Sequence, residues 1–222
     1  TLLLSAGANV NAAAATGQTA LVVAADYDGA GESVKLLLDR GADVNVHTTR
    51  PARMNTALVR AAFRGDRQMT ATLIDHGAIL NDLPQGSSAL LAAVQHGDAA
   101  LVTFLLDRGA NIESHPPEGT NPDDAPRDST PLVWAVDRSW SDIVAVLLKR
   151  HANVNAHDAS GMTPLMYAAA GIDRGIIEPL VALIAAGADV QARTTSGDTA
   201  IALAEVMARR TPSRSCGRQW LA

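Results

Sequence analysis

Along the chain, short runs of small apolar residues alternate with runs of large aliphatic ones, and the alternation recurs. The small runs are Ala24-Ala25, Ala61-Ala62, Ala92-Ala93, Ala135 and Ala168-Ala169; the aliphatic runs cover 34–38, 69–74, 101–106, 143–148 and 180–184. Within each aliphatic run the large residues sit at helical spacing, which predicts an amphipathic helix. The small runs predict a second kind of helix, one that neighbours can approach closely because alanine gives up little rotamer entropy on burial. Each predicted helix pair is too small to bury its own apolar side. A period of thirty-odd residues therefore predicts a stack of pairs sharing one continuous core.

Two short phrases punctuate the pattern. One reads Gly-Ala-Asp/Asn-Val/Ile-Asn in its full form, as GANVN from Gly7 and GADVN from Gly41, and returns as GAILN, GANIE, HANVN and GADVQ from Gly77, Gly109, His151 and Gly187. The other is Thr/Ser-Ala/Pro-Leu/Ile, beginning at Thr19, Thr56, Ser88, Thr130, Thr163 and Thr199, with intervals of 37, 32, 42, 33 and 36 residues. The hydroxyl at its head offers an oxygen to an unpaired backbone N–H, and proline fits just after it because no donor is needed there. The glycine of the first phrase is expected to end the aliphatic helix in a left-handed conformation, and the Asp/Asn that follows to turn the chain.

Period and phrases together resemble the ankyrin-repeat family over 1–210, with a partial unit at 1–11 and about six units after it. The resemblance implies an all-α solenoid of helix-turn-helix units with hairpin-like loops. It also implies partners held on a concave face built from the loop tips and the ends of the first helices. Carried over unit by unit, the contact positions expected to matter most are Tyr27, Arg53, Phe63, Arg64, His96, Arg127, Arg138 and Trp140, because aromatic and arginine side chains dominate interface energetics. Trp134 and Tyr167 fall at mid-helix and are assigned to the core.

Departures from the pattern carry expectations too. His151 stands where glycine is expected, so a left-handed backbone there would carry a penalty of roughly 1 kcal/mol. Asp128 replaces a turn glycine, and 47–54 has lost its turn chemistry, which makes the second and fourth units the least regular. A proline-rich insertion at 114–128 exceeds ordinary turn needs. Smaller expansions at 27–33 and 170–178 are expected to lengthen the turn between paired helices. The chain opens in mid-unit at Thr1, so a preceding segment is expected. Segment 211–222 is basic, lacks periodicity and reads as a flexible tail, an end cap or unrelated sequence.

Composition narrows the function. Aromatics are 3% of the chain and the net charge is −5, yet four arginines fall in the last fourteen residues, so the remainder nets −9. An acidic stack is a poor match to phosphate backbones, which disfavours nucleic acid and favours a protein or peptide. No apolar run reaches the roughly 18 residues of a membrane helix, so no membrane insertion is expected. The single cysteine leaves the compartment open, with a soluble cytoplasmic setting preferred. Six scattered histidines give no zinc spacing, Asp26-Tyr27-Asp28-Gly29 lacks the glutamate that would close a calcium loop, and no nucleophile or phosphate-loop motif occurs. The reading is a monomeric protein-interaction scaffold without catalysis, cofactor or metal. Its alternatives are a targeting or structural module of a larger enzyme or membrane protein, and an inhibitor or immunity-type binding protein.

Overall fold

The computed structural model describes residues 5–48, 56–81, 88–115, 130–171 and 177–210. Among them eleven α-helices follow one another, and the β pairing is one isolated bridge between Ala13 and Thr19. The first helices of successive pairs are α1 (Ala20–Ala24), α3 (Ala57–Phe63), α5 (Ala89–His96), α7 (Pro131–Asp137) and α9 (Pro164–Ala170). Their partners are α2 (Gly31–Asp39), α4 (Arg67–Asp75), α6 (Ala99–Asp107), α8 (Ser141–Lys149) and α10 (Glu178–Ala185), and α11 (Ala200–Arg210) follows as a further first helix. Each first helix packs on its partner and on the first helices before and after it, forming one row from α1 to α11. A second row runs alongside, with α2 against α4 and α8 held between α6 and α10. Two shared contacts tie α4 to α6. Arg108 reaches Asp75 at 2.9 Å, and the Phe104 ring lies beneath the guanidinium groups of Arg67 and Arg108, 5.4 and 4.7 Å away.

The seam between the rows is the core. It is filled by Leu21, Leu58, Leu90, Leu132 and Leu165 from the first helices and by Leu73, Leu105, Leu147 and Leu183 from the second, all buried. Burying one such side chain stabilises by about 1.5–3 kcal/mol, so the seam outweighs any single turn or cap. The alanines keep the first row tight: Ala61, Ala62, Ala92, Ala93 and Ala135 are fully enclosed. Five helices start on the expected hydroxyl. Thr19, Thr56, Ser88, Thr163 and Thr199 each accept from the N–H three residues on. Thr130 is the exception, and its buried hydroxyl finds no partner among the described residues.

The phrase ending each second helix does more than turn the chain. Its third residue makes an Asx turn, as when Asp43 accepts from the Asn45 N–H at 2.9 Å. Its fifth residue reaches into the next unit. The Asn45 amide donates to the Gly77 carbonyl at 3.1 Å and accepts from the Ile79 N–H at 2.8 Å; Asn11 and Asn81 bridge to Gly41 and Asp43, and to Gly109 and Asn111, in the same way. This explains why asparagine recurs there: only an amide offers a donor and an acceptor at that reach. Glu113, at the same place, still accepts from the Asn153 N–H at 2.7 Å. As a carboxylate it has nothing to donate to the carbonyl beyond.

Two residues confirm that the stack dictates backbone path over local preference. His151 takes φ 63° where the other units have glycine, as its position predicted, and its N–H still closes on the Leu148 carbonyl at 3.0 Å. Ser139 takes φ 59° in the turn between α7 and α8, where Gly65 and Gly97 stand in the two preceding units. The turn residues also decide the length of α11. Arg64-Gly65-Asp66 and His96-Gly97-Asp98 stop a first helix and cap the next, whereas Met207-Ala208-Arg209 at the matching place are helix formers, and α11 runs on to Arg210.

Candidate protein-interaction surface

The ends of the first helices lie side by side along the stack, and their chemistry changes from unit to unit. At α1 the side chain of Tyr27 is 63% exposed and flanked by Asp26 and Asp28. Both carboxylates are engaged by the next unit, Asp26 by Arg60 and Asp28 by Arg64. Arg60 is buried mid-helix at a position that is alanine in the following unit, and burial holds its guanidinium pKa below the ordinary value. Its Nε has no partner among the described residues. The two ion pairs link the α1 turn to α3, at whose end Phe63 is 39% exposed.

Farther along, the candidate residues are seated on bare backbone. The His96 ring occupies the space a side chain at Gly65 would need, and a Cβ at Gly97 would come within 3.0 Å of Trp140 Cζ2. Glycine at both positions admits a ring from the next unit and adopts the left-handed turn as well. Arg138 is exposed, with its guanidinium 5.8 Å from the centroid of the Trp134 indole and 3.9 Å from the Asp137 carboxylate. Trp134 is buried, as its mid-helix position predicts, with no partner for its Nε1 among the described residues. Tyr167 is half-buried and donates to Asp158 at 2.7 Å. Asp158 also accepts from the Ser160 and Met162 N–H groups, so it organises the loop ahead of α9.

The structure therefore gathers Tyr27, Phe63, Arg64, His96, Arg138 and Trp140 along one row. Arg53 and Arg127, with most of the 114–128 insertion, lie outside the described residues. Arg64, His96 and Trp140 serve the stack as well as the surface, whereas Tyr27 and Phe63 turn rings outward. A cavity of about 210 Å³ opens between the ends of α7 and α9, beside Asp137, Ser139, Tyr167 and Gly171. Among the described residues, no three His, Cys, Asp or Glu side chains converge to hold a metal ion, and no helix is long and apolar enough to cross a membrane.

On the opposite row the structure shows an arrangement that sequence reasoning missed. Asp39 meets His76 at 3.8 Å, Asp75 meets Arg108 at 2.9 Å and Asp107 meets Arg150 at 2.7 Å. The signal was available, because an acid followed by a basic residue precedes the phrase glycine in successive units.

Comparison with known proteins agrees with this geometry. The family described as "Ankyrin repeats (3 copies)" matches residues 46–116 and 113–194, and "Ankyrin repeat" matches 16–49. The chain belongs to the ankyrin-repeat family. Among solved structures, the human ASB11 ankyrin repeat domain is similar at 28% identity and TM-score 0.76, with 91% of this chain and 84% of that one covered. The ankyrin repeat domain of Bcl-3, described as a unique member of the IkappaB protein family, is similar at 26% identity and TM-score 0.72 over the same shares. No curated protein matches the chain. Ankyrin repeats generally mediate protein–protein interaction, and that coarse role applies here.

Proposed function

We propose that this ankyrin-repeat chain is a monomeric binding scaffold that holds a partner protein or peptide along the row of first-helix ends, without turnover. The observation that carries the reading is the pair of exposed rings, Tyr27 and Phe63, on adjacent units whose turns are joined by the Asp26–Arg60 and Asp28–Arg64 ion pairs. A rigid base under exposed aromatics lowers the ordering cost of binding, which is what lets a few side chains supply most of the affinity. Arg138, His96 and Trp140 extend the same surface toward α7. An acidic chain carrying such a row suits a protein or peptide better than a nucleic acid.

The test uses the full chain and a Tyr27→Ala/Phe63→Ala variant against a partner recovered by photo-crosslinking from Phe63. The double variant is expected to weaken binding at least about tenfold, in keeping with the loss of two aromatic anchors. The thermal midpoint of Tyr27→Ala alone should stay near that of the parent, because that ring is 63% exposed. Equal affinity for the two proteins would refute the assignment of this surface.

A further inference from the structure

At two successive junctions the turn after a first helix is covered by a ring from the next unit, His96 on Gly65 and Trp140 on Gly97. The third junction differs. There Ser139 holds the left-handed turn position at φ 59°, the next first helix ends in Ala170-Gly171, and a cavity of about 210 Å³ lies between them. The small pair stands where earlier units carry Phe63-Arg64, Gln95-His96 and Asp137-Arg138. A cavity of about 150 Å³ is enough to admit benzene, so this one has room for a whole side chain. Its walls are mixed. Asp137 and Ser139 contribute from one unit, Met162, Tyr167 and Gly171 from the next.

We propose that this cavity takes one arginine side chain of the bound protein or peptide, its guanidinium held between Asp137 and Tyr167, an inference that rests on the scaffold reading above and names what the partner carries. A guanidinium is planar, weakly hydrated and stacks on aromatic faces, whereas a lysine ammonium is compact and strongly hydrated. A half-apolar space beside a ring therefore suits arginine better. The Asp137 carboxylate offers about four acceptor sites, so it can face Arg138, 3.9 Å away, and a second guanidinium at once. Tyr167 donates its hydroxyl to the buried Asp158 at 2.7 Å, which fixes the ring as a wall. The net charge of −5 draws a cation toward the chain.

The experiment titrates n-propylguanidinium, and n-butanol as a neutral probe of similar length, into the isotope-labelled full chain and its Asp137→Asn and Gly171→His variants, following backbone amide shifts. Gly171 has φ −91° and a built Cβ there meets nothing nearer than 3.6 Å, so the exchange fills the cavity without straining the turn. Expected are saturable guanidinium shifts at the amides of 137–139 and 168–171, with affinity about fivefold weaker in Asp137→Asn and lost in Gly171→His. Butanol should bind more weakly and ignore Asp137→Asn. Guanidinium binding that survives either variant unchanged, butanol binding of equal strength, or no saturation in the parent chain would each overturn the proposal. No partner enters the titration, so its failure leaves the Tyr27 and Phe63 surface standing, and failure of that surface leaves the titration unaffected.

Discussion

The units built on α5–α6 and on α7–α8 trace the same path with opposite local chemistry. In the first, Gly97 turns the chain at φ 86°, Asp98 caps α6 through two N–H groups at 2.9 Å, and Gly109 ends it at φ 88°. In the second, Ser139 and His151 hold the two left-handed positions, and Trp140 stands where the capping aspartate would be, with no side-chain cap. Compensation comes from the neighbour, since the Trp140 ring lies against Gly97 and Leu147 is as fully buried as Leu105. A unit in a stack can lose its own caps and turns and keep its shape because adjacent units impose it.

The largest effects should be alike in the two units. Leu105→Ala and Leu147→Ala are each expected to cost about 3 kcal/mol, within the range for buried leucine truncation, measured by urea unfolding. A difference well beyond about 1 kcal/mol between them would mean the shared core is not equivalent across units. Next comes the contact that joins them. Gly97→Ala combines a left-handed backbone with a Cβ pressed on Trp140 and should cost about 2 kcal/mol. The same exchange at Gly109, where the built Cβ meets nothing within 4 Å, should cost about half that.

Local substitutions sharpen the comparison further. Removing the cap with Asp98→Ala should cost about 1 kcal/mol. His151→Gly and Ser139→Gly should each stabilise by up to about 1 kcal/mol, seen as a raised thermal midpoint, because glycine relieves the left-handed strain in the irregular unit. The smallest effect is Glu113→Asn, which restores a donor toward the carbonyl of residue 151 and should add roughly 0.5 kcal/mol. A destabilised Glu113→Asn protein would show that the inter-unit asparagine bridge does not transfer to this junction.

Much of this was legible in the sequence, because repetition makes each residue type answer the same physical demand several times. The helix pairs, the hydroxyl caps, the left-handed His151 and the core placement of Trp134 all follow from position within the period. The Asn45-type bridges were not legible, since a turn asparagine looks the same whether its amide faces water or the next unit. Nor was the left-handed Ser139, which sits in a turn where both glycine and aspartate are replaced. At the surface, sequence placed Tyr27, Phe63, Arg64, His96, Arg138 and Trp140 on one row. It could not separate side chains free to meet a partner from those seated on Gly65 and Gly97, because that distinction depends on the unit next door.

The most direct test of the account places a photo-reactive residue at Tyr27 or Phe63 on the first-helix row, and at Lys35 or Ala145 on exposed positions of the second row. The account predicts that Tyr27 and Phe63 both capture the same partner while Lys35 and Ala145 capture none. Capture of that partner from Lys35 or Ala145, with none from Tyr27 or Phe63, would contradict it.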